Sequence, residues 1–452
     1  MSGTNLPRAG DLKRSAELQE HFADLHRPLS GAQAVIEAAR CLYCYGAPCV
    51  NACPTGIDIP KFIHQIRSSN RDGSARTILS ANIMGGTCAR ACPTEVLCEA
   101  ACVVNETEGA PVKIGLLQRH AVDHLMATRE DHPFTRMPDS GFRIAVVGAG
   151  PAGLSFAHRA ACLGHRITVF EGAQKPGGLN EYGLAAYKMV DDFAQREVAF
   201  ILSVGGITVE TGRSLGANLD LAALRDSYDA VFLAVGLSKA LPLQVGGINL
   251  PGVRDALAFI NDIRCAPDKG TVHVGRHVVV IGGGNTAIDA AIQAKYLGAT
   301  TVTIAYRRGK EHMSATAWEQ ELASRSGVTF QYWASPAAFM GTDTVSAVRL
   351  ATTRLEDGRL VASKDSHTVP ADMVLIAIGQ TLDERLLSGL RISRGKIEVD
   401  ECYRTSLPGV YAGGDCITSG EDLTVQAVED GKRAAVCVDY ALRRTTGEAH
   451  EG

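Results

Sequence analysis

Apolar positions along this chain follow two different periods. Five short, nearly continuous apolar runs stand at Arg143–Val147, Arg166–Phe170, His277–Ile281, Thr301–Tyr306 and Met373–Ile378. Such runs predict strands buried on both faces, as in parallel sheets. Upstream the period is helical. Ser30 and Gln33 predict a capping box opening a helix through Arg40, with Ala34, Val35 and Ala38 on its apolar face. Residues 58–67 place Phe62, Ile63 and Ile66 on one side, with Pro60 near the start, and 75–82 and 113–127 also predict helices. Residues 1–30 are polar and read as an arm lying on a partner, and 128–141, with two prolines and five charges, read as a linker.

Two of the strands run into glycine turns. Arg143–Val147 leads into Gly148-Ala149-Gly150-Pro151-Ala152-Gly153, a helix to about Leu163, and a second strand ending at Glu171. This is a complete dinucleotide fingerprint. Gly148 makes the turn, Gly150 admits a pyrophosphate, Gly153 permits close helix–strand packing, and Glu171 accepts from a ribose hydroxyl. The pyrophosphate would rest on the helix N-terminus. His277–Ile281 leads likewise into Gly282-Gly283-Gly284-Asn285-Thr286-Ala287, a helix and the strand Thr301–Tyr306. That strand ends in Arg307-Arg308, with no acid at its tip. Paired arginines there favour a 2′-phosphate and hence NADP(H), or they are solvated strand-end charges or grip the pyrophosphate instead. Further on, Met373–Ile378 ends at Gly379, and Val410-Tyr411-Ala412-Gly413-Gly414-Asp415 suits close approach to a flavin, with Asp415 accepting from a ribityl hydroxyl. A helix opening near Thr424 would aim its positive end at the flavin ring.

Eight of the 13 cysteines fall between Cys41 and Cys102. They form two runs, Cys41-x2-Cys44-x4-Cys49-x3-Cys53-Pro54 and Cys88-x3-Cys92-Pro93-x4-Cys98-x3-Cys102. A [4Fe–4S] cube takes one thiolate per iron, and in two-cluster ferredoxins the cysteine that ends a run before proline ligates the other cube. By that logic Cys41, Cys44, Cys49 and Cys102 hold one cluster, and Cys53, Cys92 and Cys98 belong to the second. The spacers do not pair as zinc knuckles do. A disulfide framework would need an oxidising compartment, and the first 30 residues do not resemble a signal peptide.

These motifs predict an α/β chain: a helical N-terminal iron–sulfur domain followed by two Rossmann-like dinucleotide-binding domains, the second inserted in the first. The expected limits are 1–140 for two [4Fe–4S] clusters, 141–265 and 370–452 for FAD, and 266–369 for NAD(P). Net charge is −4, from 45 basic and 49 acidic residues, which gives no argument for nucleic acid or an anionic membrane. No apolar stretch reaches the ~18 residues of a membrane span. The expectation is a cytoplasmic protein. The layout suits a flavoprotein disulfide reductase, but no C-x-x-C follows residue 102.

With both cysteine runs and both glycine turns in place, the chain resembles the family of the glutamate synthase small subunit and the N-terminal half of dihydropyrimidine dehydrogenase, from about residue 30 to 443. The stretch 177–188, Gly-Gly-Leu-Asn-Glu-Tyr-Gly-Leu-Ala-Ala-Tyr-Lys, looks closer to the separate bacterial dihydropyrimidine dehydrogenase subunit. The resemblance implies four cysteine ligands, Cys41, Cys44, Cys49 and Cys102, for one cluster. For the other it implies Cys53, Cys92, Cys98 and Gln118, leaving Cys88 a non-ligand although a count of thiols favours it. It adds Gly178, Leu179, Lys188 and Gly236 to the candidate cofactor contacts, Lys188 beside the flavin. It also implies NAD(H), against the arginines, and an α2β2 heterotetramer.

The expected function is electron input. NAD(P)H delivers a hydride, FAD splits it into single electrons, and two clusters pass these to an FMN and iron–sulfur partner reducing uracil or thymine. The cofactors carry the chemistry, so no acid, base or nucleophile is expected. Service to glutamate synthase is the alternative. A non-catalytic scaffold is a third, disfavoured because a scaffold needs neither glycine turn.

Overall fold

The computed structural model describes residues 16–445. They fall into two compact units. The larger comprises residues 26–181, 191–239 and the described chain from 381 onward; the smaller comprises the described chain up to 25, 182–190 and 240–380.

The larger unit begins with helices around the cysteines. Ser30 and Gln33 form the expected capping box, and the helix spans Gly31–Ala38. Ala34 and Ala38 are buried, but Val35 is 42% exposed, so the apolar face is narrower than its sequence suggests. Asp58 caps Ile59–Arg67, whose Phe62, Ile63 and Ile66 are buried. The next helix spans Arg71–Ala81 and starts earlier than periodicity predicts, because the Asn70 side chain accepts from Gly73 N and caps it. Gly85–Ala91 and Ile114–Thr128 complete the cage.

The same unit carries a five-stranded parallel sheet, in the order Val410–Ala412, Ala230–Leu233, Arg143–Val147, Arg166–Glu171, Ile207–Thr211. The last strand in sequence therefore completes a sheet begun near residue 143. Helices Pro151–Cys162 and Thr424–Thr445 pack together so closely that a Cβ on Gly431 would lie 2.1 Å from the Ala152 oxygen. Beneath them Phe156 stacks on Phe232 at 4.2 Å. Several ties join the cage to the helices on the sheet. Lys432 Nζ donates to the Thr55 and Ala81 oxygens at 3.3 and 2.8 Å. Arg90 lies 3.5 Å over the Phe193 ring. Glu197 accepts from both the amide and the hydroxyl of Thr87.

The smaller unit has its own parallel sheet, ordered Val253–Asp255, Met373–Ala377, His277–Gly282, Thr301–Tyr306, Thr329–Tyr332. Residues 253–265 and the strand at 373, expected with the FAD segments, lie here instead. Val253–Asp255 pairs with Met373–Ala377, which pairs with His277–Gly282, and hydrogen-bonded strands cannot be divided between domains. Gly379 follows into this unit, where its oxygen accepts from Leu241 N at 3.1 Å. A three-stranded antiparallel meander, Ala334–Met340, Ala347–Glu356 and Arg359–Pro370, was not foreseen. Asp357 and Gly358 turn it with φ of 50° and 75°, the left-handed pair of a tight hairpin. Residues 1–15 of the expected partner arm lie outside the described residues. Of the remainder, Leu18, Phe22 and Leu25 pack on the apolar core of this unit rather than standing free.

Candidate functional site

The helical cage gathers the cysteines into two groups. Cys41, Cys44, Cys49 and Cys102 line one cavity, walled by Ile59, Ile63, Val104 and Ile114. Burial pushes the Cys49 thiol up to about 11, and Cys102 and Cys41 add to the shift. Cys41 is raised the same way, with Cys102 and Cys44 contributing. Cys92 is raised well above the ordinary thiol value by a hydrogen bond with Cys88, by burial, and by Cys98 and Cys53. Cys98 is raised by burial, Glu99 and Cys53, and it also senses Cys49, so the groups adjoin. Among the described residues no three His, Cys, Asp or Glu converge on one point, as around a single ion. Thiols spread around an apolar cavity fit a cubane, which takes each at a separate iron. The raised thiols, Cys41, Cys49, Cys92 and Cys98, would give up their protons to a bound metal.

Both candidates for the eighth position lie on facing helices. Cys88 is buried one turn before Cys92. Gln118 is also buried, and its Nε2 donates to the Gly85 oxygen at 2.7 Å, at the start of the helix that carries Cys88.

The first glycine turn is shaped for a ligand by what it excludes. A Cβ on Gly148 would meet the Ala234 oxygen at 2.2 Å, and one on Gly153 the Gly148 oxygen at 2.0 Å. A Cβ on Gly178 would lie 2.7 Å from Gly150 Cα, whereas one on Gly150 would have a single neighbour, at 3.8 Å. Backbone therefore closes on backbone beneath Gly150 and leaves its upper side open. Helix Pro151–Cys162 starts at Gly150 without a side-chain cap. Helices beginning after Ser30, Asp58, Asn70, Asp220, Asp255 and Thr316 have one, whereas Gly85–Ala91, Ile114–Thr128 and Phe193–Leu202 also lack it. Uncapped amides at an N-terminus are what a phosphate binds. Glu171 accepts from Ala149 N at 2.7 Å and Ala173 N at 2.8 Å, and a carboxylate has further lone pairs for a ribose.

The C-terminal segment meets this turn directly. A Cβ on Gly414 would lie 2.9 Å from Ala152 Cβ. Asp430 holds Gly414 N at 3.0 Å and is itself held by Tyr403 OH and Gln426. Burial, then Asp422, push the adjacent Asp415 up to about 6, with Lys396 opposing. Thr424 Oγ1 donates to Asn180 Oδ1 at 3.1 Å, next to the predicted Leu179. Gly236 has φ of 58° with nothing near its missing Cβ. Asp430 and Gly431 escaped sequence reasoning; an acid–glycine pair inside a helix, where glycine is costly, was the available signal.

In the smaller unit, a Cβ on Gly282 would meet the Ala377 oxygen at 2.1 Å, and one on Gly283 the Tyr306 ring at 2.5 Å. Helix Asn285–Tyr296 starts at Gly284, again without a side-chain cap, and Thr286 and Ala287 lie in its first turn. Asn285 Oδ1 is buried with no partner among the described residues. An orphaned acceptor at an uncapped N-terminus fits a nucleotide. Arg307 is exposed, while the half-buried Arg308 has a buried Nε without a partner.

Lys188 is neither a surface residue nor a member of the turn in the larger unit. It is buried in the smaller unit, with Nζ 2.7 Å from Asp289 and 2.6 Å from Glu319. Burial alone would lower its pKa, but the two carboxylates outweigh it and raise it. Tyr187 OH donates to Asp289 at 3.1 Å beside it.

Comparison with known proteins matches residues 142–431 to the family of pyridine nucleotide-disulphide oxidoreductases and 18–130 to dihydropyrimidine dehydrogenase domain II, 4Fe-4S cluster. The NAD-dependent dihydropyrimidine dehydrogenase subunit PreT of Escherichia coli K12 is 32% identical over 94% of this chain and 98% of its own. The glutamate synthase [NADPH] small chain of Azospirillum brasilense is 31% identical over 98% and 96%. Among solved structures, Mycobacterium tuberculosis FprA in complex with NADPH aligns with a TM-score of 0.57 at 19% identity, over 70% of this chain and 87% of that one. Thioredoxin reductase of T. acidophilum aligns at 0.52 and 21%, over 66% and 97%. These two likenesses concern the fold. No helix among the described residues is long and apolar enough to cross a membrane.

Proposed function

We propose that this chain, which belongs to the pyridine nucleotide-disulphide oxidoreductase family, is the electron-input subunit of a dihydropyrimidine dehydrogenase. It oxidises NAD(P)H through FAD and passes electrons through two [4Fe–4S] clusters to an FMN-bearing partner that reduces uracil or thymine. The observation that carries this reading is the union, in one compact unit, of two cysteine groups with a glycine-turn sheet.

Cys41, Cys44, Cys49 and Cys102 would hold one cluster; Cys53, Cys92, Cys98 and Gln118 the other. Gly148–Gly153, Glu171 and the Gly414–Asp415 turn would hold FAD, and Gly282–Ala287 with Arg307 and Arg308 the nicotinamide nucleotide. FAD, when bound, turns hydride transfer into one-electron steps that clusters can accept. The protein's own part is positioning. Free helix amides orient the phosphates, Asp430 fixes the Gly414 turn, and apolar walls keep water from the first thiol group.

Glutamate synthase service is the second reading, favoured by nearly equal identity to small chains of that enzyme. The test is anaerobic purification of the tagged chain from its native host. Uracil-accelerated NADH oxidation, with an FMN protein co-purifying, is the expected result. Acceleration by 2-oxoglutarate plus glutamine alone overturns the pyrimidine assignment and leaves the cofactor layout standing.

A further inference from the structure

Five cysteines lie outside the two runs. Cys162 sits 3.8 Å from His158, Cys265 is exposed beside Asn261, and Cys416 is buried with its thiol pushed up to about 12 by burial. Cys402 and Cys437 lie side by side, each thiol within interaction reach of the other. Each is partly exposed.

Their meeting is built into the fold. Cys402 lies in a turn organised by Asp400, whose Oδ1 accepts from Cys402 N and Arg404 N, both at 2.9 Å. The next residue, Tyr403, has φ of 62°, donates its hydroxyl to Asp430 at 3.2 Å, and accepts from Ala412 N through its oxygen at 3.0 Å. Cys437 follows Asp430 by two helical turns on the same helix, Thr424–Thr445, and so shares its face. The bond from Tyr403 to Asp430 ties the turn that carries Cys402 to the helix that carries Cys437. Arg404 and Arg433 act on the pair, with Arg433 5.9 Å from the Tyr403 ring centre. Both guanidinium groups oppose the rise of the Cys437 thiol, which burial and Cys402 nonetheless carry up to about 11.

We propose that Cys402 and Cys437 form a reversible disulfide, a redox-modification site separate from the cluster and nucleotide sites. The oxidant is a small-molecule disulfide. Cys402 gives up its proton and attacks one of its sulfurs, making a mixed disulfide and expelling one thiolate. Cys437 then gives up its proton and attacks the Cys402 sulfur, making the intramolecular bond and expelling the second thiolate. Two protein thiols are oxidised and one small disulfide is reduced to two thiols. The bond would fasten the same turn and helix that Tyr403 and Asp430 already join. Intracellular disulfides are typically of this transient, sensing kind.

The test uses anaerobic holoprotein equilibrated across glutathione buffers of increasing oxidised fraction, with cluster absorbance followed throughout. Free thiols are then alkylated and peptides weighed. The expected result is a Cys402–Cys437 linked peptide, simultaneous loss of both alkylation marks, and full reversal by reduced glutathione. In C402S or C437S the remaining thiol should stay alkylated or carry a single glutathione. Two cysteines of the unaltered chain that stay alkylated in the most oxidising buffer that spares the clusters, or take glutathione independently, overturn the proposal. That readout needs no variant to fold.

Discussion

Glu197 shows how much one buried carboxyl can decide. Burial pushes it up to about 7, although the Thr87 donors and Arg90 pull the other way. Its folded value lies above its unfolded one, so between about pH 4.5 and 7 the folded chain holds a proton that the unfolded chain has released. Stability therefore falls as pH rises through that window and levels off above it, by on the order of 3 kcal/mol in total. Asp415, at about 6, slopes the same way over a lower range. E197Q keeps the partner geometry without the titration. Thermal melts from pH 5 to 8 should show a shallower decline for E197Q than for the unaltered protein, and parallel declines would remove Glu197 as the cause. Residues of this kind are hard to read in a sequence. Glu197 and Asp430 look like solvated charges there, and only the fold shows them buried among partners.

Among elements, those buried on both faces were legible. The strands Arg143–Val147 and Thr301–Tyr306 match their apolar runs residue for residue, because a parallel sheet under helices demands unbroken apolar faces. The meander was not legible for the same reason. Its strand Arg359–Pro370 is largely exposed and includes Ser363, Lys364, Asp365 and Ser366, so little apolar alternation survives. The Asp357-Gly358 turn was its clearest trace. The glycine turns were legible as motifs, but their tolerance is set by neighbouring backbone. G153A places a methyl where the Gly148 oxygen lies 2.0 Å away. Relief would require separating helix Pro151–Cys162 from its strand. We expect destabilisation at or above the ~1–3 kcal/mol usual for overpacking, with loss of bound flavin, measured by denaturant melts and by flavin absorbance after desalting. Full flavin occupancy in G153A would mean that the turn can yield.

For the whole molecule, the cysteine runs predict two clusters, and spacing alone does not choose between Cys88 and Gln118. Both are buried, on facing helices, and the thiol of Cys88 already engages Cys92. With two cubes the assembled chain should carry about eight irons. C88A is expected to retain them, and Q118A to lose or alter the spectrum of one cluster, as read by iron analysis and low-temperature electron paramagnetic resonance. The reverse pattern would assign the ligand to Cys88. The domain limits were less legible, because a strand's run of apolar residues does not say which sheet it joins. Val253–Asp255 is too short to announce itself and is recognised only by its pairing with Met373–Ala377.

The pairing of Val410–Ala412 with Ala230–Leu233 also governs events in time. A chain emerging from the ribosome exposes the Ala230–Leu233 edge and must make the entire smaller unit before its neighbour exists. At ~5–20 residues per second that interval is on the order of tens of seconds. Throughout it the first sheet is open along one side, and the Gly414 turn and the helix from Thr424 are missing from the first glycine site. The cysteine helices, by contrast, are all synthesised before the first strand begins. Cluster assembly can thus precede completion of the flavin-type fold, and a nascent chain stalled between the two would be a metal-loaded, flavin-free intermediate with an unpaired strand edge, a natural client for chaperones.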